Sequence, residues 1–165
     1  MALLVVVLVY DLRHLIIPDR LVVLLIAVAG LWLGYQYYNG AAWNELLLDS
    51  GAAVAGAAVF AFLWLISKGR WIGLGDAKLA VPLGLLLGAS AVFSLLVLAF
   101  WIGAVVSVGL ILVQYLLKRG QPHLRFLSQP LTMKSEVPFA PFLILSFWCI
   151  YWFNLDVMEL VAWWM

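Results

Sequence analysis

Apolar runs of about twenty residues recur along this chain of 165 residues and are separated by short polar stretches. About 20 apolar residues, at ~1.5 Å rise each, cross the hydrocarbon core of a bilayer as one helix. The pattern therefore predicts an all-α fold: a polytopic membrane helix bundle with about six transmembrane helices. The predicted stretches are Ala2–Tyr10, Leu21–Tyr38, Ala52–Ile66, Ala77–Gly88, Ala91–Leu117 and Val137–Phe153, and a further patch, Val157–Met165, is expected along the membrane interface.

The first stretch is too short to cross a bilayer, because only ten residues precede Asp11. Three explanations are open: a half-length helix, a helix that continues through Ile17, or residues upstream of Met1, and we favour the last. A chain of this length predicts a single integral membrane domain over residues 1–165.

Composition supports a membrane location. Apolar residues make up 67% of the chain, against ~45–50% in soluble domains, and the mean hydropathy is +1.14. The lipid bilayer is thus an expected partner, whereas a net charge of +1 gives no reason to expect a nucleic acid. The single cysteine excludes a disulfide framework and a cysteine zinc site.

The basic residues alternate between loops, and this alternation predicts the orientation. They follow the first, third and fifth apolar stretches, and the other loops have none. Because cytoplasmic loops carry an excess of Lys and Arg, we expect these three loops in the cytoplasm and both termini outside. The nine residues are Arg13, Arg20, Lys68, Arg70, Lys78, Lys118, Arg119, Arg125 and Lys134.

Two aspartates mark the candidate site. Asp11 and Asp76 each close an apolar run and open a short polar loop, in a chain with only 10% charged residues. Carboxylates near the membrane are costly, so by default they indicate function. The predicted topology puts both at the cytoplasmic boundary, where two carboxylates that meet could share a proton, as in aspartic proteases.

Such a pair hydrolyses a peptide bond with water and needs neither a cofactor nor a metal. One carboxylate acts as general base on the water, and the other, protonated, polarises the carbonyl and then protonates the leaving amine. Asp76 precedes the fourth predicted helix, whose positive dipole end favours a carboxylate, while Asp11 follows the first. We therefore expect Asp76 to be the base and Asp11 the acid.

Four residues near the pair are candidate supporting residues. Gly73 and Gly75 could give the backbone before Asp76 a positive φ and a close approach. Asp19 is either a structural residue in the first turn of the second helix or a partner of Asp11. Lys78 could hold Asp76 ionised, contact a substrate or simply anchor the helix at the cytoplasmic side.

Three stretches together resemble the type IV prepilin peptidase family, the GxGD-type membrane aspartic proteases of pilin and type II secretion systems. Residues 11–19 (DLRHLIIPD) resemble the first aspartate motif, residues 73–79 (GLGDAKL) the second, and residues 136–142 (EVPFAPF) the third. By this resemblance Asp11 and Asp76 are the catalytic pair, and Glu136 could bind a basic leader residue or fix the fifth loop.

The resemblance also implies a substrate and a location. Family members cleave short basic leaders from prepilin or pseudopilin precursors, after a glycine and at the cytoplasmic face of a bacterial or archaeal inner membrane. Longer members carry an N-terminal domain with paired CxxC motifs and methyltransferase activity, and this sequence contains nothing that could form that domain.

The alternative function is a small proton-coupled membrane transporter that uses the same carboxylates. A transporter is expected to place its acidic residues near the middle of the bilayer. The predicted position of both aspartates at the cytoplasmic boundary favours the protease.

Overall fold

The computed structural model describes residues 1–14, 16–70, 72–120 and 139–157, and the side chains of the fifth helix as far as Val113. Within these residues the secondary structure is entirely helical, which confirms the all-α prediction. The helices are α1 (Ala2–His14), α2 (Asp19–Tyr38), α3 (Trp43–Ser67), α4 (Leu74–Leu87), α5 (Ala89–Gly120) and α6 (Ala140–Phe153).

Three of the six helices are long and apolar enough to cross a membrane: α2, α3 and the Ala89–Val113 part of α5. The other three are shorter, with 13 residues in α1 and 14 each in α4 and α6. The predicted helical membrane bundle is thus confirmed, with long and short helices combined in one assembly.

The first helix is longer than predicted and contains Asp11. It ends at His14 rather than Tyr10, so Asp11 lies in its last turn and does not follow it. Continuation of this helix through Ile17 is wrong, because Ile16, Ile17 and Pro18 are not helical. The physical reason is Pro18, whose ring disfavours the helical conformation of the residue before it.

The third and fourth helices also begin earlier than predicted. The third begins at Trp43 rather than Ala52, and the Glu45 carboxylate in its first turn accepts a 3.4 Å hydrogen bond from the Ala42 N–H. The fourth begins at Leu74 rather than Ala77, which places Asp76 inside its first turn. In both cases an acidic residue that looked like part of a loop satisfies a free N–H group at a helix start.

The inner helices of the bundle are α4 and α6. Seven of the 14 residues of α4 and eight of the 14 of α6 are buried, against three of 20 in α2. Helix α4 packs against α2, α3, α5 and α6, and the hydrophobic core includes residues from all six helices. The second aspartate is therefore carried by the most central helix.

Small residues allow α3 and α4 to pack closely. A Cβ at Gly84 would lie 3.0 Å from the Cα and Cβ of Ala53, which is itself fully buried. Close backbone approach is how helices associate in lipid, where apolar burial between helices gains little.

Hydrogen bonds at the end of the bundle opposite the aspartates tie its helices together. The Asp49 carboxylate of α3 accepts a 2.7 Å hydrogen bond from the Ala89 N–H at the start of α5. The buried Ser94 hydroxyl donates to Asp156 at 2.7 Å and accepts from the Val157 N–H at 3.0 Å. Val157 is buried rather than interfacial, and the rest of the Val157–Met165 patch lies outside the described residues.

We expect Gly84→Leu to destabilise the bundle, because a side chain at this position collides with the backbone of α3. Overpacking of this kind costs about 1–3 kcal/mol. The matched control is Gly30→Leu, since a Cβ at Gly30 meets no atom within 4 Å. Thermal unfolding in detergent measures the effect, and equal unfolding midpoints for the two variants would contradict the α3–α4 packing.

Candidate active site

Asp11 is buried in the last turn of α1. Its exposed fraction is 5%, although carboxylates are rarely buried without a partner. Its Oδ2 atom has no hydrogen-bond partner among the described residues. An unpartnered buried carboxylate oxygen destabilises a fold, so its presence needs an explanation beyond packing.

Asp76 is buried in the first turn of α4, with an exposed fraction of 6%. Its Oδ2 atom accepts a 3.1 Å hydrogen bond from the N–H of Gly73, the residue that precedes the helix. An acidic residue at this position commonly reaches back to the N-cap N–H. The bond fixes one carboxylate oxygen and holds the side chain at the helix start.

The two carboxylates are close enough to repel each other electrostatically. The charge of Asp11 acts on the carboxylate of Asp76, although α1 and α4 do not pack directly against each other in the described part of the chain. Neither forms an ion pair with a described basic side chain. The structure thus brings together, at one end of the bundle, two buried acids that no described basic side chain neutralises.

The backbone at Gly73 and Gly75 differs from the prediction. Neither Gly73 nor Gly75 has a positive φ, and Gly73 is extended at φ −73°. The expectation of left-handed backbone is therefore wrong, because the residues before Asp76 simply lead into α4. At Gly75 another part of the chain comes close, since a Cβ there would lie 3.2 Å from the Cβ and Cδ1 of Ile17.

Asp19 and Lys78 pair with each other. The Lys78 Nζ lies 2.7 Å from Asp19 Oδ1, so the ion pair links the first turns of α2 and α4. The Asp19 side chain makes no cap hydrogen bond, and Lys78 is paired with Asp19 rather than with Asp76. The pair is solvent-accessible, with 74% of the Asp19 side chain and 45% of the Lys78 side chain exposed.

Two further residues of the motifs are Glu136 and Ile17. Glu136 lies outside the described residues. Ile17, which is not among the predicted site residues, contacts Gly75 beside Asp76. Its position two residues before Asp19, in the first motif, was the only feature of the sequence that could have indicated its role.

Among the described residues, no three His, Cys, Asp or Glu side chains are grouped so that they could hold a metal ion.

Comparison with known proteins identifies the family. The model of the type IV leader peptidase family matches residues 1–108, which include both aspartates and helices α1 to α4. The match covers more than half of the chain, so the protein belongs to this family and is a leader peptidase in general type. No curated protein and no solved structure matches the chain.

We expect Asp11→Leu to stabilise the fold, because a side chain of the same branched shape replaces a buried carboxyl group whose Oδ2 atom has no described partner. Relief of an unsatisfied buried polar group is worth about 1–3 kcal/mol, which corresponds to a rise of several degrees in the unfolding midpoint. Asp49→Asn is the comparison, since the Asp49 carboxylate accepts a hydrogen bond at a helix start and its neutralisation should lower the midpoint. A midpoint that falls for Asp11→Leu would show that the Asp11 carboxyl group stabilises the protein.

Proposed function

We propose that this protein is a membrane aspartic endopeptidase that removes the short basic leader from type IV prepilin-like precursors, prepilins or pseudopilins, after a glycine. The observation that carries the proposal is the pair of buried carboxylates, Asp11 and Asp76, at one end of the bundle. Family membership supports a leader peptidase in general, and the pair supports the aspartic mechanism.

In the proposed reaction a water molecule attacks the carbonyl carbon of the scissile peptide. The carboxylate base takes one proton from the water, while the protonated partner donates a hydrogen bond to the carbonyl oxygen. A tetrahedral intermediate forms whose oxyanion accepts the hydrogen bond from the acid, and no covalent bond to the enzyme is made. The C–N bond then breaks, and the leaving amine takes a proton from the acid.

We assign the base to Asp76 and the acid to Asp11. The hydrogen bond from the Gly73 N–H and the position in the first turn of α4 both stabilise a carboxylate at Asp76. Asp11 lies in the last turn of α1, where the helix dipole is unfavourable for a negative charge. For a coupled pair, the two titration steps belong to the pair as a whole.

The remaining site residues support this pair. Gly73 provides the N–H that holds Asp76, and Gly75 allows Ile17 to approach. Asp19 and Lys78 form the exposed ion pair beside the site. For Glu136 we propose contact with a basic residue of the leader.

We further propose that the site faces the cytoplasm of a bacterial or archaeal inner membrane, with both termini outside. The basic residues support this orientation: Arg13, Arg20, Lys68, Arg70 and Lys78 all lie in the ends of α1 to α4 nearest the two aspartates, or directly after them. Such an excess of cations is typical of the cytoplasmic side.

Asp11→Asn and Asp76→Asn should each abolish leader cleavage, because the reaction needs both a base and an acid. The expected loss is at least about 100-fold in rate, the usual contribution of general acid–base catalysis. The assay incubates the purified protein in detergent with a prepilin that carries its leader, followed by mass analysis of the product. Asp49→Asn, at the opposite end of the bundle, should cleave at the wild-type rate.

Each outcome of this assay has a separate meaning. Cleavage retained by one Asn variant removes that aspartate from the mechanism. A wild-type protein that leaves the prepilin intact would contradict the proposed substrate class.

The proposed orientation predicts different accessibility for Asn39, after α2, and Arg70, after α3. In a Cys149→Ser background, we expect Asn39→Cys to react with a membrane-impermeant maleimide in intact cells of a bacterial host. Arg70→Cys should react only after the cells are opened. The reverse pattern would place the aspartates at the outer face.

A further inference from the structure

The position of α1 relative to α4 is set indirectly. Helix α1 packs against α6 and α2, and among the described helices it makes no direct packing contact with α4. Yet the two proposed catalytic residues lie on these two helices. Helices α2 and α6 pack against both of them and hold them in the bundle, and a contact nearer to the aspartates would fix the separation of the two carboxylates more directly.

The segment between α1 and α2 provides such a contact. Ile17 lies in this segment, six residues after Asp11, and it packs onto Gly75, which directly precedes Asp76. A Cβ built on Gly75 would lie 3.2–3.3 Å from three side-chain atoms of Ile17. This distance is tighter than nine in ten real contacts of a Cβ, so a side chain at position 75 would require Ile17 to move away by a few tenths of an ångström.

The ion pair of Asp19 and Lys78 joins the same two parts of the chain. It connects the residue after Pro18 to the first turn of α4, with 2.7 Å between Nζ and Oδ1. An exposed ion pair contributes little by itself. Combined with the Ile17–Gly75 contact, however, it restricts rotation of the segment on α4, because the two contacts lie on either side of Pro18.

We propose that these two contacts, Ile17 with Gly75 and Asp19 with Lys78, position Asp11 relative to Asp76 and so set the spacing at which the pair can activate water. The inference rests on the proposed function and assigns a role to four residues that do not touch the reacting atoms. They are positioning residues. Lys78, on this basis, serves Asp19 and does not bind the substrate.

Substitutions that widen the Ile17–Gly75 contact test the proposal. Gly75→Ala and Gly75→Val should lower kcat progressively, by about 10-fold and about 100-fold, with little change in KM, because sub-ångström to 1 Å misplacement has effects of this size. Ile17→Ala removes two of the three contacting atoms and should restore much of the loss in the double variant with Gly75→Ala. Gly30→Ala is the matched control, since its Cβ meets nothing within 4 Å.

The pH dependence of kcat separates positioning from a general loss of stability. Two interacting carboxylates give two apparent pKa values that move towards each other as the groups move apart. The two limbs of the pH–rate profile should therefore lie closer together in Gly75→Val than in the wild type. In the double variant with Ile17→Ala they should regain the wild-type separation. A merely destabilised enzyme would lose activity at all pH values with the same profile.

Charge exchange tests the ion pair. Asp19→Lys and Lys78→Asp should each lower kcat, and the double exchange should restore it, since the pair reforms with reversed polarity. If Lys78 instead binds the substrate, Lys78→Asp raises KM and the exchange restores nothing. That outcome overturns the role proposed for this pair.

A measurement independent of catalysis decides between failure of this inference and failure of the proposed function. In a Cys149→Ser background, Asp11→Cys and Asp76→Cys are joined by methanethiosulfonate cross-linkers of increasing spacer length. We expect the best spacer to lengthen when Gly75→Val is added and to shorten again with Ile17→Ala.

An unchanged optimum overturns the positioning role, whatever the activity of the enzyme. A shifted optimum in a protein whose wild type cleaves no prepilin supports the positioning of the two residues and contradicts only the proposed substrate.

Discussion

The burial of α4 among four other helices is the constraint on which the rest of this structure depends. A helix enclosed in this way must present small residues where a neighbour comes close, as Gly84 does towards Ala53. The free N–H groups at the start of this helix must also find acceptors inside the protein, and the Gly73 N–H donates a hydrogen bond to the Asp76 carboxylate. The same residue therefore completes the start of the central helix and provides one of the two acids of the proposed site, which couples folding to chemistry.

The two aspartates differ in what they contribute to the fold. Asp76 has a structural hydrogen bond, whereas the Oδ2 atom of Asp11 has no partner in the described part of the chain. Buried polar groups are normally satisfied, and exceptions concentrate where function requires them. Asp11 thus carries the stronger physical argument for function, since its position is costly to the fold. The family match over residues 1–108 agrees with a peptidase of the leader-cleaving type.

Short helices and tight corners explain how a small bundle brings such a pair together. Helices α1 and α4 have 13 and 14 residues, less than the length that spans a bilayer, and they do not pack directly on each other. The corner that contains Ile17 and Pro18 links them, through the close approach at Gly75 and the ion pair between Asp19 and Lys78. Helix length and corner geometry are therefore as important to the site as the two acids.

The sequence by itself determined the helical membrane class and the two candidate acids, because long apolar runs and rare charges are local properties of the chain. It could not determine the helix starts at Trp43 and Leu74, since acidic residues there resemble loop residues until their hydrogen bonds are known. Only the tertiary structure decided that Lys78 pairs with Asp19 and that Gly75 is needed for contact rather than for a positive φ. Both depend on which distant segments meet, and apolar periodicity carries no information about partners in space.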